Sequence, residues 1–472
     1  MASEYRFCNE GRYWKCLYCV DRSTTVILSG LAIEKVFDIC IIEYVGTDMQ
    51  SQEADYSWSF KELRRSQTSY LTHDYHRYPA KFIPQLAERL IKDNSQPADL
   101  ICDPFMGSGT TMVEAILNSR RAYGTDINPV SFLISKAKIT PIRPSYLESQ
   151  ISSLLAGIKA DTETKRRQML LLKSPDLEIR TSDNKRIDYW FPEKQKKDLA
   201  IILSRVNSIY DQQVRIFLLC AFSNILKSCS RWSMKSVKPI IDKHKVIPDA
   251  YMTFVLQTKR MVIKNEEFWK RIGRMEVDCI IDNKDARKMK VQDDSATLVI
   301  TSPPYVTSYE YADLHQLTAV WLGYIDKISD FRKKFIGRMQ KSDIPLKLHS
   351  KLGTEIVDEL RPINSKEAKA VEQYFFEMQE CFQEMHRIVR RGGRICIVIG
   401  DTELRRVRIQ NANVFVETMK EIGFRMHKII KRPVPSKILP LTRNERTGRF
   451  CATVRADRLA YPIEYILIMV KV

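Results

Sequence analysis

The stretch Asp103-Pro-Phe-Met-Gly107-Ser-Gly109-Thr-Thr111 joins a short apolar run at residues 99–103 to a helix predicted over residues 110–119. A second apolar run, residues 122–126, follows, so the region predicts a strand, a helix and a strand in succession. Glycines in the first turn let the backbone bend sharply and approach a ligand, while the helix N-terminus offers free N–H groups. This β-α-β unit predicts an α/β fold with a parallel sheet.

Asp126 ends the second predicted strand, seventeen residues after Gly109. A carboxylate at this point can accept hydrogen bonds from both hydroxyls of a ribose. A dinucleotide site would need a third glycine where Met112 stands, and a phosphate-binding loop would need a following Gly-Lys-Ser or Gly-Lys-Thr. The pattern therefore predicts a nucleoside ligand that carries no pyrophosphate.

The predicted elements divide the chain into four segments. Residues 1–60 form an N-terminal extension of unknown role, and residues 61–140 hold the glycine loop. Residues 141–278 read as one helix after another, with apolar side chains at three- and four-residue intervals. Residues 279–472 return to an α/β pattern, which includes an apolar run at 395–399 that is typical of a strand covered on both faces. We predict a doubly wound, Rossmann-like α/β sheet that carries a mainly helical insertion.

The chain of 472 residues carries 76 Lys and Arg against 57 Asp and Glu, a formal net charge of +19. This excess favours a polyanionic partner such as nucleic acid, or an anionic membrane surface. Residues 24–45, the most apolar N-terminal stretch, contain Glu34, Lys35 and Asp38, which argues against a membrane span. Eleven cysteines without dense spacing suit reduced thiols in a cytosol. We predict a basic cytoplasmic protein with no secretory signal and no membrane partner.

A second motif, Thr301-Ser302-Pro303-Pro304-Tyr305, directly follows a predicted strand. Its two prolines fix φ and remove two N–H donors, so the loop is rigid and presents carbonyl groups. Ser302 and the carbonyl of Pro303 can accept hydrogen bonds from an amino group, and Tyr305 offers a face on which a planar base can stack. Pro-Pro-Tyr also occurs in surface turns and in peptides that dock to partners. Its position at the end of a buried strand disfavours docking.

Together, the two motifs resemble those of the amino-group DNA methyltransferases, which use S-adenosyl-L-methionine to methylate cytosine N4 or adenine N6. The resemblance covers about residues 70–140 and 280–325, and more loosely 370–425. Residues 78–84 resemble the segment that in this family closes over the methionine end of the cofactor. Asp285 resembles the family's strand-end acid near the cofactor adenine.

The resemblance implies a set of site residues in this chain. The expected cofactor-binding residues are Tyr78, Pro79, Ala80, Lys81, Phe82, Asp103, Pro104, Phe105, Gly107, Ser108, Gly109, Thr110, Asp126, Ile127, Asp285 and Ala286. The expected catalytic residues are Ser302, Pro303, Pro304 and Tyr305. In many members of the family the Ser-Pro-Pro-Tyr loop precedes the glycine loop, whereas here it follows by nearly two hundred residues. Target-recognition boundaries therefore do not transfer from those members.

The family mechanism is direct transfer to a base that has been flipped out of the duplex. Methylation at cytosine C5 would instead need a cysteine nucleophile, which that family presents after a proline, and this chain has no Pro-Cys pair. Serine at the first loop position is usual among cytosine-N4 members, and aspartate or asparagine among adenine-N6 members. Since either residue can accept a hydrogen bond, it is the resemblance that favours cytosine N4, with adenine N6 as the alternative.

Two other classes of protein fit parts of the pattern. Some tRNA guanine methyltransferases share both loops, but they carry a large N-terminal RNA-binding domain that sixty residues are too few to form. A catalytically inactive DNA-binding protein is disfavoured because Asp103, Asp126, Ser302 and Tyr305 are all intact. Double-stranded DNA is the expected partner, and a separately encoded restriction endonuclease is a further candidate in a restriction-modification role.

Residues 228–245 are basic and contain a tryptophan, a composition that suits phosphate contact combined with stacking. The candidate DNA-binding residues in this stretch are Arg231, Trp232, Lys235 and Lys238. A solvated helix end is the alternative interpretation. The basic stretches 425–432 and 443–449 allow the same two interpretations, contact with DNA or a solvated surface.

Four early cysteines raise the question of a metal. Cys16 and Cys19 form a close pair, with Cys8 and Cys40 further away. Structural zinc sites usually contain a second close pair, and none is present. We predict no metal.

The excess of positive charge leads to a first prediction about DNA binding. Because basic side chains release counterions when they contact phosphates, the affinity for DNA should fall steeply as salt is added. Titrations at several salt concentrations measure the slope of log affinity against log salt. A flat plot would show that the basic surface has another purpose.

Overall fold

The computed structural model describes residues 52–79, 81–169, 184–273, 278–306, 310–337, 346–434 and 463–472, and several strands between residues 7 and 27 and between 442 and 459. The chain forms two compact units, Met1–Gln52 and Glu53–Val472. In the first unit, β1 (Phe7–Glu10), β2 (Tyr13–Asp21) and β3 (Thr24–Ile27) form an antiparallel sheet in that order.

The larger unit begins at Glu53, eight residues before the boundary expected from the sequence. The N–H of Asp55 donates to the carbonyl of Lys431 at 2.7 Å. Trp58 is buried, and the Arg89 guanidinium lies over its ring. Residues 53–60 therefore pack as part of the α/β unit.

The centre of the larger unit is a seven-stranded sheet with the order β11-β14-β8-β7-β4-β5-β6. Its strands are β4 (Leu100–Asp103), β5 (Arg121–Thr125), β6 (Cys279–Asp282), β7 (Ala296–Thr301), β8 (Val389–Ile399), β11 (Phe424–Pro433) and β14 (Ile463–Lys471). Two short pairs lie outside it: β9 (Thr402–Leu404) with β10 (Val407–Ile409), and β12 (Thr442–Arg443) with β13 (Arg458–Leu459). Every strand of the sheet runs in one direction except β14, which is antiparallel to both of its neighbours. This arrangement confirms the predicted α/β fold class.

Fifteen α-helices are assigned in the described part of the chain. They are α1 (Arg65–Thr68), α2 (Pro84–Asn94), α3 (Thr110–Leu117), α4 (Pro129–Ile139), α5 (Pro144–Met169), α6 (Asn184–Trp190), α7 (Glu193–Asn207), α8 (Gln212–Leu226), α9 (Ala250–Ile272), α10 (Tyr311–Leu314), α11 (Gln316–Trp321), α12 (Ile328–Lys333), α13 (Lys351–Leu360), α14 (Ser365–Ile388) and α15 (Asn411–Ile422). Within this part of the chain, no helix is long and apolar enough to cross a membrane.

The helical stretch between β5 and β6 does not have a core of its own. Helices α5 to α9 share one apolar cluster with Val130 and Ile134 of α4 and with Trp321 of α11. The insertion is thus packed against the helices that flank the glycine loop and the Pro-Pro loop.

The order of the strands places two loops next to each other. From β4 the chain builds the sheet outward through β5 and β6, and it then returns to add β7 on the other side of β4. Ligands of open α/β sheets bind at such a switch point, at the carboxyl ends of the strands. The glycine loop follows β4 and the Pro-Pro loop follows β7, so both emerge there.

Candidate active site

The glycine loop has the backbone conformation that its two glycines permit. Gly107 and Gly109 have φ values of +49° and +73°, in the region that side chains disfavour. A Cβ at Gly109 would also lie 2.8 Å from Oγ of Ser135 in α4. Gly109 therefore lets α4 approach the loop closely.

Two buried side chains of α4 donate hydrogen bonds to carbonyl groups of this loop. Oγ of Ser135 donates to the carbonyl of Gly107 at 3.0 Å, and Nζ of Lys138 donates to the carbonyl of Ser108 at 2.8 Å. Burial holds the pKa of Lys138 well below its ordinary value. These two hydrogen bonds fix the carbonyl side of the loop to α4.

Asp103 links the glycine loop to the strand that carries the Pro-Pro loop. Its Oδ1 accepts from Oγ1 of Thr301 at 2.7 Å, and its Oδ2 accepts from Oγ1 of Thr111 at 2.7 Å. The N–H of Phe105 adds a third hydrogen bond at 3.1 Å. Burial raises the pKa of Asp103 to about 6, although these hydrogen bonds favour the charged form.

Asp126 is held by backbone groups on both sides. The N–H of Gly107 donates to Oδ2 and the N–H of Asn128 donates to Oδ1, each at 2.9 Å. Each carboxylate oxygen keeps a further acceptor site, which leaves room for two hydroxyl donors. Burial raises the pKa of Asp126 to about 7.

The Pro-Pro loop is anchored by two hydroxyl groups. The Tyr374 hydroxyl of α14 donates to the carbonyl of Pro304 at 2.8 Å. The Tyr305 hydroxyl donates to Oε1 of Glu464 in β14 at 3.2 Å. These contacts add to the Thr301–Asp103 bond at the start of the loop, so the loop is fixed at three points.

One cleft brings the two loops together. It contains about 870 Å³ of empty space, part of it open to solvent. The expected residues that line it are Tyr78, Lys81, Phe82, Asp103, Pro104, Phe105, Gly107, Ser108, Thr110, Asp126, Ile127, Asp285, Ala286, Ser302 and Pro304.

Four expected site residues do not line this cleft, and Ala80 lies outside the described residues. Pro79, Gly109, Pro303 and Tyr305 are absent from its walls. Gly109 instead is the N-cap residue of α3 and faces α4. Tyr305 points toward Glu464, on the side of the loop where β8 ends and β14 begins.

Six further residues, which the sequence did not indicate, also line the cleft. They are Met106, Asn128, Tyr311, Lys334, Phe335 and Ile336. Met106 and Asn128 adjoin motif residues and could have been included on that ground. The other four lie six or more residues beyond the Pro-Pro loop, and no local pattern connects them to the glycine loop.

The wall formed by residues 78–82 is held by contacts to other elements. The hydroxyl of Tyr78 lies 2.9 Å from Oγ of Ser131, and Nζ of Lys81 donates to the carbonyl of His73 at 3.1 Å. Burial lowers the pKa of Lys81 to about 8. His73 itself is buried, and its Nε2 lies 2.7 Å from Oε1 of Glu114, so this side chain has a structural position.

Asp285 contributes a third carboxylate to the cleft. It is paired with Arg287, whose Nη2 lies 2.7 Å from Oδ2. Burial would raise the pKa of Asp285, but the Arg287 guanidinium outweighs it and holds the pKa below its ordinary value. The carboxylate is therefore ionised and oriented without a ligand.

The proposed DNA-contact residues require one correction. Trp232 is only 2% exposed, and its ring stacks on that of Trp190 at a centroid distance of 5.2 Å. It cannot stack on a base from this position, because its ring is buried in the apolar cluster of the insertion, where Trp190 covers one face. Nη1 of Arg231 donates to the carbonyls of Asp188 and Tyr189 at 2.9 and 2.8 Å. Arg231 thus joins the segment to α6.

Lys235 and Lys238 are exposed, as phosphate contact would require. The loop that carries them is closed by Lys245, whose Nζ donates to the carbonyls of Lys227, Ser230 and Trp232 at 2.7, 2.7 and 2.8 Å. The stretch is therefore an ordered loop with an apolar base and an exposed basic tip. The cysteines considered for zinc and the basic stretch 443–449 have side chains outside the described residues.

The comparisons with known proteins agree with this geometry. A family model described as DNA methylase, of the N6 and N4 type, matches residues 27–137 and 296–472. This is more than half of the chain, and it leaves out the stretch that contains helices α5 to α9.

Three curated relatives illustrate the match. Type II methyltransferase M.MvaI of Kocuria varians is 28% identical over 407 residues, covering 81% of this chain and 88% of the relative. Type II methyltransferase M.MjaII of Methanocaldococcus jannaschii is 21% identical over 472 residues, covering 83% and 81%. DNA adenine methyltransferase YhdJ of Escherichia coli is 37% identical over 71 residues, covering 15% and 22%.

The chain belongs to the DNA methylases that modify exocyclic amino groups. It is an S-adenosyl-L-methionine-dependent DNA amino-methyltransferase.

A second prediction concerns Asp126. Asp126→Ala should weaken cofactor binding by about 1–3 kcal/mol, because ribose hydroxyls would lose their acceptor. Since the pKa of Asp126 is raised to about 7, the ionised acceptor is lost as the pH falls through 7, and affinity should drop about tenfold from pH 8 to pH 6.

Calorimetry across this pH range tests both parts. Asp103, whose pKa is about 6, contributes its own pH dependence, so Asp126→Asn serves as the control that isolates Asp126. An Asp126→Asn variant with the full pH dependence of the wild type would contradict the assignment.

A third prediction separates the core from the DNA surface in residues 228–245. Trp232→Ala should lower the free energy of unfolding by about 3–5 kcal/mol, as other large core truncations do. Lys235→Ala should leave stability within about 0.5 kcal/mol but reduce the salt slope of DNA binding by about 1. Denaturant unfolding and salt titrations measure the two effects. A stable Trp232→Ala variant with weakened DNA binding would reverse the correction.

Proposed function

We propose that the protein transfers a methyl group from S-adenosyl-L-methionine to the N4 amino group of cytosine in double-stranded DNA. The observation that carries this proposal is that Ser302 and Pro304 line the same cleft as the glycine loop and Asp126. A group bound along the glycine loop would thus lie beside the loop that can accept an amino group's hydrogens.

The side chains in the cleft fit the cofactor. Asp126 presents two oriented oxygens for a ribose, and the Asp285–Ala286 wall lies on the β6 side, where the adenine would be held. Asp103 adds a third carboxylate, which suits a ligand with positive charges on its sulfonium and ammonium groups. When bound, the cofactor supplies an electrophilic methyl group.

The Pro-Pro loop would act on the base. An exocyclic amino group is a weak nucleophile because its lone pair is delocalised into the ring. Hydrogen bonds from its two N–H groups to Ser302 and to the carbonyl of Pro303 would favour the pyramidal nitrogen, on which positive charge develops. Tyr305 would hold the flipped base by stacking. The anchors at Thr301, Pro304 and Tyr305 keep these acceptors in place before the base arrives.

The choice of cytosine rests on serine at position 302, by its resemblance to cytosine-N4 members of the family. Adenine N6 is the second candidate. The 71-residue match to an adenine methyltransferase supports it, and a serine hydroxyl can accept from either amino group.

The exposed Lys235 and Lys238, with the formal charge of +19, support contact with duplex phosphates. We propose a role in host protection, alongside a separately encoded endonuclease. Two long matches are to proteins named Type II methyltransferases, which supports this role.

A fourth prediction names the product and the loop that forms it. Duplex DNA methylated by the purified enzyme should yield N4-methylcytosine on nucleoside digestion and mass spectrometry. Tyr305→Ala should remove about 1–3 kcal/mol of base stacking and lower turnover, while cofactor affinity stays near that of the wild type. Tyr305→Phe should cost less than about tenfold, since it loses one hydrogen bond but keeps the ring.

The possible products distinguish the alternatives. N6-methyladenine alone would replace cytosine with adenine and leave the proposed roles of the loop intact. 5-Methylcytosine would falsify the direct-transfer mechanism. Loss of cofactor binding in Tyr305→Ala would place the tyrosine in the cofactor site instead.

A further inference from the structure

The side chain of Tyr305 packs against two strands, at the point where β8 ends and β14 begins. Its hydroxyl meets Glu464 of β14, as described above. Its ring lies against Gly400, the residue that follows β8. A methyl group added at Gly400 would come within 3.1 Å of ring carbon Cε2, whereas relaxed carbon–carbon contacts are about 3.5–4.0 Å. A residue larger than glycine would therefore displace the ring.

The backbone of Gly400 does not itself require glycine. Its φ lies outside the left-handed region. The next atoms that an added methyl would meet, the carbonyl oxygen of Ile463 at 3.5 Å and Cγ of Glu464 at 3.7 Å, are at ordinary contact distances. The close approach to the Tyr305 ring is thus the contact that favours glycine here.

The Glu464 carboxylate is held from both sides. Glu464 pairs in antiparallel register with Arg432 of β11, and Nη1 of Arg432 lies 3.9 Å from Oε2. Arg432 is 5% exposed, and its Nε and Nη1 have no hydrogen-bond partner among the described residues. One carboxylate oxygen therefore meets the tyrosine hydroxyl and the other faces a buried cation. Such support fixes the orientation of the tyrosine.

We propose that Gly400 and Glu464 are positioning residues for methyl transfer. Gly400 leaves room for the Tyr305 ring and Glu464 fixes its hydroxyl, so the ring meets the flipped base in one orientation. This inference rests on the proposed function of Tyr305 in base stacking. Neither residue lines the cofactor cleft, so both act through the tyrosine.

The first test is a double-mutant cycle between Gly400→Ala and Tyr305→Ala. Gly400→Ala should lower the single-turnover methylation rate about 10- to 100-fold, because small misplacements of a reacting group have effects of this size. Cofactor affinity should stay within about twofold, since the cofactor contacts are untouched. In the Tyr305→Ala background, Gly400→Ala should cause no further loss, because no ring remains to be displaced.

Gly157→Ala in α5 is the matched control, because the three atoms nearest to the added methyl belong to the Arg205 side chain and lie at 3.5–3.8 Å, which are ordinary contact distances. It should methylate at the wild-type rate. Two results would overturn the role of Gly400. One is a Gly400→Ala variant that methylates at the wild-type rate, and the other is a Gly400→Ala/Tyr305→Ala double variant whose rate falls by the product of the two single effects.

The second test examines Glu464 and remains decisive if Gly400→Ala fails to fold. Glu464→Leu alone would leave Arg432 buried without its counterion, so Glu464→Leu is combined with Arg432→Met. The double variant Glu464→Leu/Arg432→Met and the single variant Tyr305→Phe should each lower the methylation rate by the same factor. The triple variant should lower it by no more than that factor. Glu464→Gln combined with Arg432→Met, which keeps an acceptor oxygen, should restore most of the rate.

The controls separate this inference from the proposed function. Glu193→Gln removes an exposed carboxylate in α7 and should not change the rate. Wild-type enzyme that yields no methylated base would overturn the proposed function itself. Wild-type activity together with independent, multiplying effects of the Glu464–Arg432 replacement and Tyr305→Phe would overturn only the positioning role.

Discussion

The buried carboxylate of Asp103 is the contact on which the active site depends. Its two oxygens accept hydroxyl hydrogen bonds from Thr111 in α3 and from Thr301 at the end of β7. It adds a side-chain connection between the glycine loop and the Pro-Pro loop to the sheet pairing between β4 and β7. A buried acceptor with three donors is costly to disrupt, because each orphaned partner would lose a hydrogen bond away from water. The distance between the two loops is therefore set by a short, rigid connection.

The insertion is tied to the same region by a second polar connection. Nε2 of His76 lies 2.9 Å from Oγ of Ser223 in α8, and that oxygen lies 2.7 Å from Oγ1 of Thr318 in α11. The segment before Tyr78, the insertion and the helix after the Pro-Pro loop meet at these three side chains. The insertion is thus bonded to the elements that carry both walls of the cleft.

Local sequence patterns failed where long-range pairing or packing competed with them. Adjacent glycines after a helix are typical of a helix end, yet Gly392 and Gly393 lie within β8, where Val389 already pairs with Ala296 and the register shifts before Arg394. Pairing with β7 begins as soon as α14 ends at Ile388, so the glycines form an irregularity in a strand. Trp232 similarly looked like a DNA contact among basic neighbours, but stacking on Trp190 buries it. Neither outcome can be read from neighbouring residues.

The sequence by itself determined the β-α-β unit, the glycine loop, the acid that ends β5 and the rigid Pro-Pro loop, because each follows from short-range rules of propensity, turn geometry and spacing. Tertiary structure alone decided which distant residues complete the site. Tyr374, Glu464 and Gly400 reach the Pro-Pro loop from elements 70 or more residues away in the chain. Their roles depend on the order of the strands and on close packing, and neither can be derived from the pattern of neighbouring residues in the sequence.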